Sequence, residues 1–205
     1  MIVILTGKSG SGKDSVHKKL VEDGFIPIVS STTRPMRDGE IDGVDYYFTD
    51  NKTFEDKIKS GAIFEYREYN GSNGKVYYGS EKITLEDNKN YTVVLDLDGT
   101  EAFFEAYGRE NCLAVHILVD DKERLCRALK REFPQKQLDD MVLNNKMDTD
   151  RLEKFHTEWN TRLKADTTHF TPERVKKDID CVVSNEYDSL EKTVENIKKS
   201  MYERI

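Results

Sequence analysis

The sequence predicts an α/β fold, a parallel sheet flanked by helices, and three observations carry that expectation. Short apolar runs rich in β-branched residues recur at residues 2–5, 25–29, 92–97, 113–118 and 179–183. Runs of this length, apolar throughout rather than alternating, suit strands covered on both faces. Helical patterns follow most of them, over residues 13–22, 100–107, 122–130 and 189–202. Strands alternating with helices pack as a doubly wound parallel sheet. The third observation is a glycine-rich turn that joins the first strand to the first helix.

Composition sets the outer limits. A chain of 205 residues suits one well-buried domain, residues 1–205, with smaller inserted pieces. Its hydrophobic content of 37% is low and its charged content of 35% is high for a globular protein, which fits long solvated helices. A formal net charge of -7 argues against broad nucleic-acid binding, which needs a basic surface to release counterions. Cys112, Cys126 and Cys181 are dispersed, so they read as reduced thiols rather than as a disulfide framework or a zinc site. The start, MIVILTGKSG, lacks the features of a signal peptide, and no apolar stretch approaches membrane-spanning length. A cytoplasmic protein with no membrane partner is expected, as a monomer or a homodimer.

Taken in order, the first strand runs into Gly7-Lys8-Ser9-Gly10-Ser11-Gly12-Lys13, which fits the G-x-x-x-x-G-K phosphate-binding loop of a P-loop NTPase-type core. Glycines let backbone N–H groups curl around phosphate oxygens, and the N-terminus of the helix over residues 13–22 adds partial positive charge. Lys13 is placed to reach the β- and γ-phosphates. Gly7, Ser9, Gly10, Ser11, Gly12, Lys13, Asp14 and Ser15 are therefore expected to bind a nucleoside triphosphate, ATP. The motif commonly continues with a Ser or Thr that holds magnesium; here Asp14 intervenes and Ser15 follows, so Ser15 is expected to supply the hydroxyl. Asp14 either faces solvent or touches Mg²⁺ through water.

After the strand at 25–29 the rhythm breaks. Residues 31–79 are dense in Tyr, Gly, Thr and charge, with a helix-like stretch at 53–60 and turn signals at Asn70-Gly71 and Asn73-Gly74. That is the pattern of a small, partly β insertion. Within it Arg34 and Arg37 lie three apart beside a Ser/Thr-rich turn, a pairing that suits a phosphate monoester or, equally, surface ion pairs. The strand at 92–97 ends in Asp96-Leu97-Asp98, carboxylates at the end of a parallel strand where ligands bind, or else helix caps. On the helix at 122–130 and just past it, Arg124, Arg127 and Arg131 share a face, open to a ligand or to ion pairs with Glu123 and Glu132. The polar stretch 132–150, with Pro134, Gln135, Gln137 and Asn144-Asn145, is long for an idle loop. His17, His116, His156 and His169 fall in no metal-binding spacing.

These segments together resemble the guanylate kinase family. Its signature runs S-T-T-R-x-P-R-x-G-E-x-x-G-x-D-Y, then F-x-E, then Y-G-[ST]. The chain supplies Ser31 to Arg34, Arg37, Gly39-Glu40, Gly43 and Asp45-Tyr46, then Phe64-Glu65, then Tyr78-Gly79-Ser80. Pro35 stands one residue earlier than the pattern has it, and Gly99 follows the Asp96/Asp98 pair at once. The resemblance implies a core of residues 1–30, 82–130 and 152–205, a nucleoside-monophosphate-binding insertion at 31–81 and a helical lid at 131–151.

It further implies ATP-dependent phosphorylation of GMP or dGMP, with Mg²⁺. Arg34, Arg37, Tyr46 and Tyr78 would clamp the acceptor phosphate, and Ser30, Glu65, Ser80 and Asp98 would read guanine. Tyr47, Tyr66, Tyr69 and Tyr77 crowd the same region without motif support. Lys13, Arg34, Arg131 and Lys146 would act on the transferring group, Lys146 standing where the family has a lid arginine, with Arg151 and Arg162 as competitors. Ser15 and Asp96 would face the metal, mostly through water. Two rival readings are a kinase for another nucleoside monophosphate or a phosphorylated sugar, and a non-catalytic binding module of the same fold.

Overall fold

The computed structural model describes residues 1–37, 39–71, 74–133, 148–186 and 189–204. Its organising element is β1 (Ile2–Thr6), whose five residues are all buried. Successive side chains of a strand point to opposite faces, and β1 serves two clusters. Val3 and Leu5 pack with Val16, Leu20, Val194 and Ile197, while Ile2 and Ile4 pack with Ile28, Val93 and Phe103. Each large aliphatic side chain taken from water in this way contributes about 1.5–3 kcal/mol.

β1 pairs in parallel with β7 (Tyr91–Val94) on one side and β8 (Cys112–Leu118) on the other. β2 (Ile26–Pro27) and β9 (Cys181–Ser184) complete a five-stranded sheet of order β2-β7-β1-β8-β9. Helices α1 (Lys13–Glu22) and α7 (Leu190–Tyr202) pack together over one face, and α3 (Leu97–Tyr107) covers the other. Between these lie α4 (Asp121–Glu132), α5 (Thr149–His169) and α6 (Pro172–Asp178). Among the described residues no helix is long and apolar enough to cross a membrane.

A second sheet, of order β4-β3-β6-β5, is built from β3 (Ser31–Thr32), β4 (Tyr47–Phe48), β5 (Ile63–Gly71) and β6 (Gly74–Glu81). Helix α2 (Asn51–Lys59), capped by Asp50 accepting the Thr53 N–H, covers it. Its core is small: Phe54, stacked on Tyr77 at 5.3 Å, with Ile63 and Ile58.

Three local expectations need correction. The strand expected over 92–97 stops at Val94 and α3 starts at Leu97, three residues before the helix read from the sequence. The cause is Asp96, whose carboxylate accepts the Gly99 N–H at 2.7 Å and caps the helix. The run at 25–29 yields a strand of two residues. Helix α5, 21 residues long, has no counterpart among the helices expected from the sequence. Asp38, Asn73, Lys146 and the rest of 134–147 lie outside the described residues.

Candidate active site

The turn after β1 is shaped by what its carbonyls meet. Lys13 Nζ donates to the carbonyls of Gly7 (2.7 Å) and Lys8 (3.2 Å). Arg124 Nη1 donates to the Ser9 carbonyl at 2.7 Å, and Asn185 Nδ2 and Arg127 Nη1 donate to that of Ser11 at 2.8 and 3.3 Å. With four of its carbonyls engaged by these cations and amides, the loop is fixed at the N-terminus of α1, where N–H groups and the helix dipole favour an anion. Glycine is required at two points in particular. Gly10, at φ +78°, would place a Cβ 2.8 Å from the Arg124 carbonyl; Gly12, at φ +87°, is the N-cap of α1. Burial lowers the pKa of Lys13, against the opposing fields of Asp14 and Asp166.

Of the three arginines on one face of α4, left open to a ligand or to ion pairs, two are engaged within the protein. Arg124 is fully buried and Arg127 is tied to Glu123 at 2.7 Å and to the Asn185 carbonyl. Arg131, a turn further on, is exposed. Of the competitors for the second lid cation, Arg151 is occupied by Glu132, through its side chain at 3.0 Å and its carbonyl. Arg162 lies instead on α5, where burial first, then Arg131 and Arg37, lower its pKa. Its charge is felt by Lys13 on the loop, and that of Tyr78 on the insertion is felt by it.

On the insertion, Arg34 grips the Glu40 carboxylate with both Nη atoms and stacks over the Tyr46 and Phe48 rings at 5.1 and 5.4 Å. Glu40 also accepts the Arg37 N–H at 2.8 Å, and the Arg34 bond holds its carboxyl below the usual range. Tyr46 meets Tyr78 edge-on at 5.8 Å, and burial pushes its phenol up to about 12. Ser30, Ser80 and Glu65 form a chain: Ser30 Oγ to Ser80 Oγ at 3.2 Å, and Ser80 Oγ donating to Glu65 Oε1 at 2.9 Å. Glu65 is buried, and that burial raises its pKa.

Asp96 and Asp98 reach this pocket through a residue the sequence reading passed over. Arg67 donates to both Asp96 oxygens at 3.1 and 3.2 Å, and lies 3.6 Å from Asp98 and 3.7 Å from Glu65. Asp98 is further bonded to Arg174 on α6. Arg67 sits two residues beyond Glu65 on the same strand, so the period of two was the available signal.

Phosphate fits both halves of this arrangement. Ser11 Oγ on the loop and Arg34 Nε on the insertion are buried with no hydrogen-bond partner among the described residues. Each is aimed from a site that other observations mark for an anion. Nucleotide-borne magnesium needs only one or two carboxylates beside phosphate and water. Asp14 and Ser15 are exposed in the first turn of α1, next to Lys13, and fit that requirement. Both oxygens of Asp96 are engaged by Arg67, which leaves it a contact through water.

Comparison with known proteins gives this arrangement a context. The family model described as guanylate kinase matches residues 1–180. A guanylate kinase of Lactiplantibacillus plantarum is 40% identical over 106 residues, 48% of this chain and 50% of that one. A guanylate kinase of Enterococcus faecalis is 37% identical over 108 residues, 49% of this chain and 51% of that one. The chain thus spans about half the length of the curated relatives it matches. The crystal structure of guanylate kinase from Anaplasma phagocytophilum superposes with a TM-score of 0.62 at 26% identity, covering 100% of this chain and 86% of that one. With a family model matched over most of its length, on a loop and an insertion built as described, the chain belongs to the guanylate kinase family.

Proposed function

We propose that the protein transfers the γ-phosphoryl group of ATP to GMP or dGMP, giving ADP and GDP or dGDP by direct in-line transfer. The observation that carries this reading is Glu65, a buried carboxylate bonded to Ser80 on the insertion sheet, with Arg34 two residues beyond β3 of that sheet. Guanine offers two adjacent donors, N1–H and the 2-amino group, to one carboxylate; adenine offers an acceptor at N1 that would face its lone pairs. Ser30, Ser80 and Asp98 complete the base site in this reading, and Arg34, Arg37, Tyr46 and Tyr78 hold the acceptor phosphate.

The acceptor phosphate is already a nucleophile, so the protein's task is alignment and charge neutralisation. Gly7, Ser9, Gly10, Ser11, Gly12 and Lys13 cradle the triphosphate, with Lys13, Arg131 and Arg162 set against the charge of the transferring group. Arg162 is given in this reading the role expected of Lys146, since it lies on α5 one turn before Asp166, which is bonded to Ser9 of the loop. Asp14 and Ser15, with Asp96 through water, would hold magnesium together with the nucleotide, and the metal would add to the neutralisation of phosphate charge.

The test is kcat/KM for GMP, IMP and AMP. IMP lacks the 2-amino group and forfeits one charge-assisted bond, so it is expected to be about ten- to a hundredfold poorer than GMP. AMP is expected to be poorer still. Equal use of GMP and AMP would remove Glu65 from base reading and favour a kinase for another phosphate monoester. ATP binding without ADP release, whatever the acceptor, would favour a binding module.

A further inference from the structure

We propose that Asp166 is a positioning residue, a latch that holds helix α5 against the phosphate loop so that Arg162 is presented at a fixed place beside it. The carboxylate of Asp166 accepts the Ser9 N–H at 3.1 and 3.0 Å and the Ser9 hydroxyl at 3.3 Å. Arg124 Nη1 donates to Asp166 at 2.8 Å and to the Ser9 carbonyl at 2.7 Å. Ser9 is therefore gripped at both ends of its backbone by an ion pair whose members are 1% and 7% exposed. The two halves of the contact are 157 residues apart in sequence.

The same helix carries Arg162 one turn earlier. Residues 159, 162 and 166 follow the i, i+3, i+7 spacing of one helical stripe, and Trp159 on that stripe is buried with Arg124 5.9 Å from its ring. Arg162 has Arg131, Arg37 and Lys13 as like-charged neighbours and Glu158 as an opposing one. Lys13 on the loop repels Arg162, and Asp166 is an anion on that stripe bonded to the loop itself. A buried ion pair contributes little net stability, since two charges must be desolvated. Its effect here is placement, because it fixes a catalytic cation relative to the backbone that holds the phosphates.

The proposal rests on the kinase reading for its activity readout and is independent of it for its optical one. Wild type, Asp166→Asn, Asp166→Glu, Arg162→Ala and the Asp166→Asn/Arg162→Ala double variant are compared by steady-state kinetics. Misplacement of about an ångström costs on the order of a hundredfold in rate, so Asp166→Asn is expected to lower kcat about ten- to a hundredfold. KM for GMP should stay within about twofold, and Asp166→Glu, which keeps the charge, should recover part of kcat. The double variant should be no slower than Arg162→Ala alone, because the latch acts through Arg162.

Losses that multiply in the double variant, or an unchanged kcat in Asp166→Asn, would overturn the latch. So would tighter ATP binding in Asp166→Asn, which would make the carboxylate a competitor for phosphate. The only tryptophan of the chain, Trp159, gives a readout without turnover. Its emission is expected to shift to the red, with greater acrylamide quenching, in Asp166→Asn. An inactive wild type with that shift defeats the kinase reading and upholds the latch; an active wild type whose Asp166→Asn emission is unmoved does the reverse.

Discussion

Lys13 has two sets of partners, and substitution tests both. In the structure its ammonium caps the Gly7 and Lys8 carbonyls, while the proposed chemistry turns it toward the triphosphate. Lys13→Met is expected to lower kcat by about 10²–10³ through lost charge stabilisation and to cost about 1–3 kcal/mol for the orphaned carbonyls. Steady-state kinetics and urea unfolding on one preparation check the two effects. His116, on β8, gives a pH prediction. Burial, then Lys13 and Lys8, push its pKa down to about 4, so the folded state favours the neutral ring. The unfolded chain binds the proton first; stability is therefore intact above about pH 6.5 and falls as pH drops toward 4, by up to roughly 3 kcal/mol. Glu65, whose pKa is raised, opposes this slope, so the measurement is the difference between wild type and His116→Gln in urea midpoint from about pH 7 to about pH 5. Candidate site residues tied to a local motif were legible in the sequence, Lys13 from the spacing of the glycine loop and Arg34 and Glu65 from the resemblance their motifs carry. Asp166, Arg67 and Asn185 were not, since their partners come from elements far along the chain.

Among the elements, α5 separates what a helix pattern reveals from what it hides. Leu152, Phe155, Trp159 and Leu163 sit at spacings of three and four, a stripe that the polar surroundings mask. Without the helix, Arg162 had no face to share with Arg131 and stood level with Lys146 and Arg151. The structure makes the ranking testable. Arg162→Ala is expected to lower kcat at least about a hundredfold. Arg151→Ala, which removes an ion pair to Glu132 and a ring contact with Phe133, is expected to change kcat by less than about threefold. The reverse order in steady-state kinetics would return the role to Arg151. The β7–α3 boundary was misread for a related reason: Leu95 and Leu97 prolong the apolar run, and only the cap at Asp96 shows where the strand ends. By contrast α1 has the limits its pattern predicts, because the glycine loop fixes its start.

At the scale of the molecule the two sheets differ in how they are held. β1 is paired on both sides and buried between two large clusters, whereas the insertion sheet has Phe54, Ile63 and Tyr77 as its buried centre. The alternation of strand and helix made the first sheet legible, while the strands β3 and β4, of two residues each, are too short to carry any pattern. Local opening follows contact density, so the insertion is expected to exchange its amides through partial opening and β1 only through global unfolding. That difference links acceptor affinity to folding. The residues proposed to hold the acceptor, Arg34, Tyr46, Glu65 and Tyr78, belong to the weaker unit, and in that reading apparent affinity scales with the fraction of molecules in which the unit is formed. Phe54→Ala, which removes a fully buried ring distant from the phosphate loop in sequence, costs about 3–5 kcal/mol at the site of the change. It is expected to raise KM for GMP severalfold while KM for ATP holds, with faster exchange confined to β3, β5 and β6. A matching rise in KM for ATP would mean that the two sheets open together. If the insertion holds the acceptor as proposed, its small core is an adjustable tax on that binding, and a packing change alone would retune how much monophosphate the protein needs.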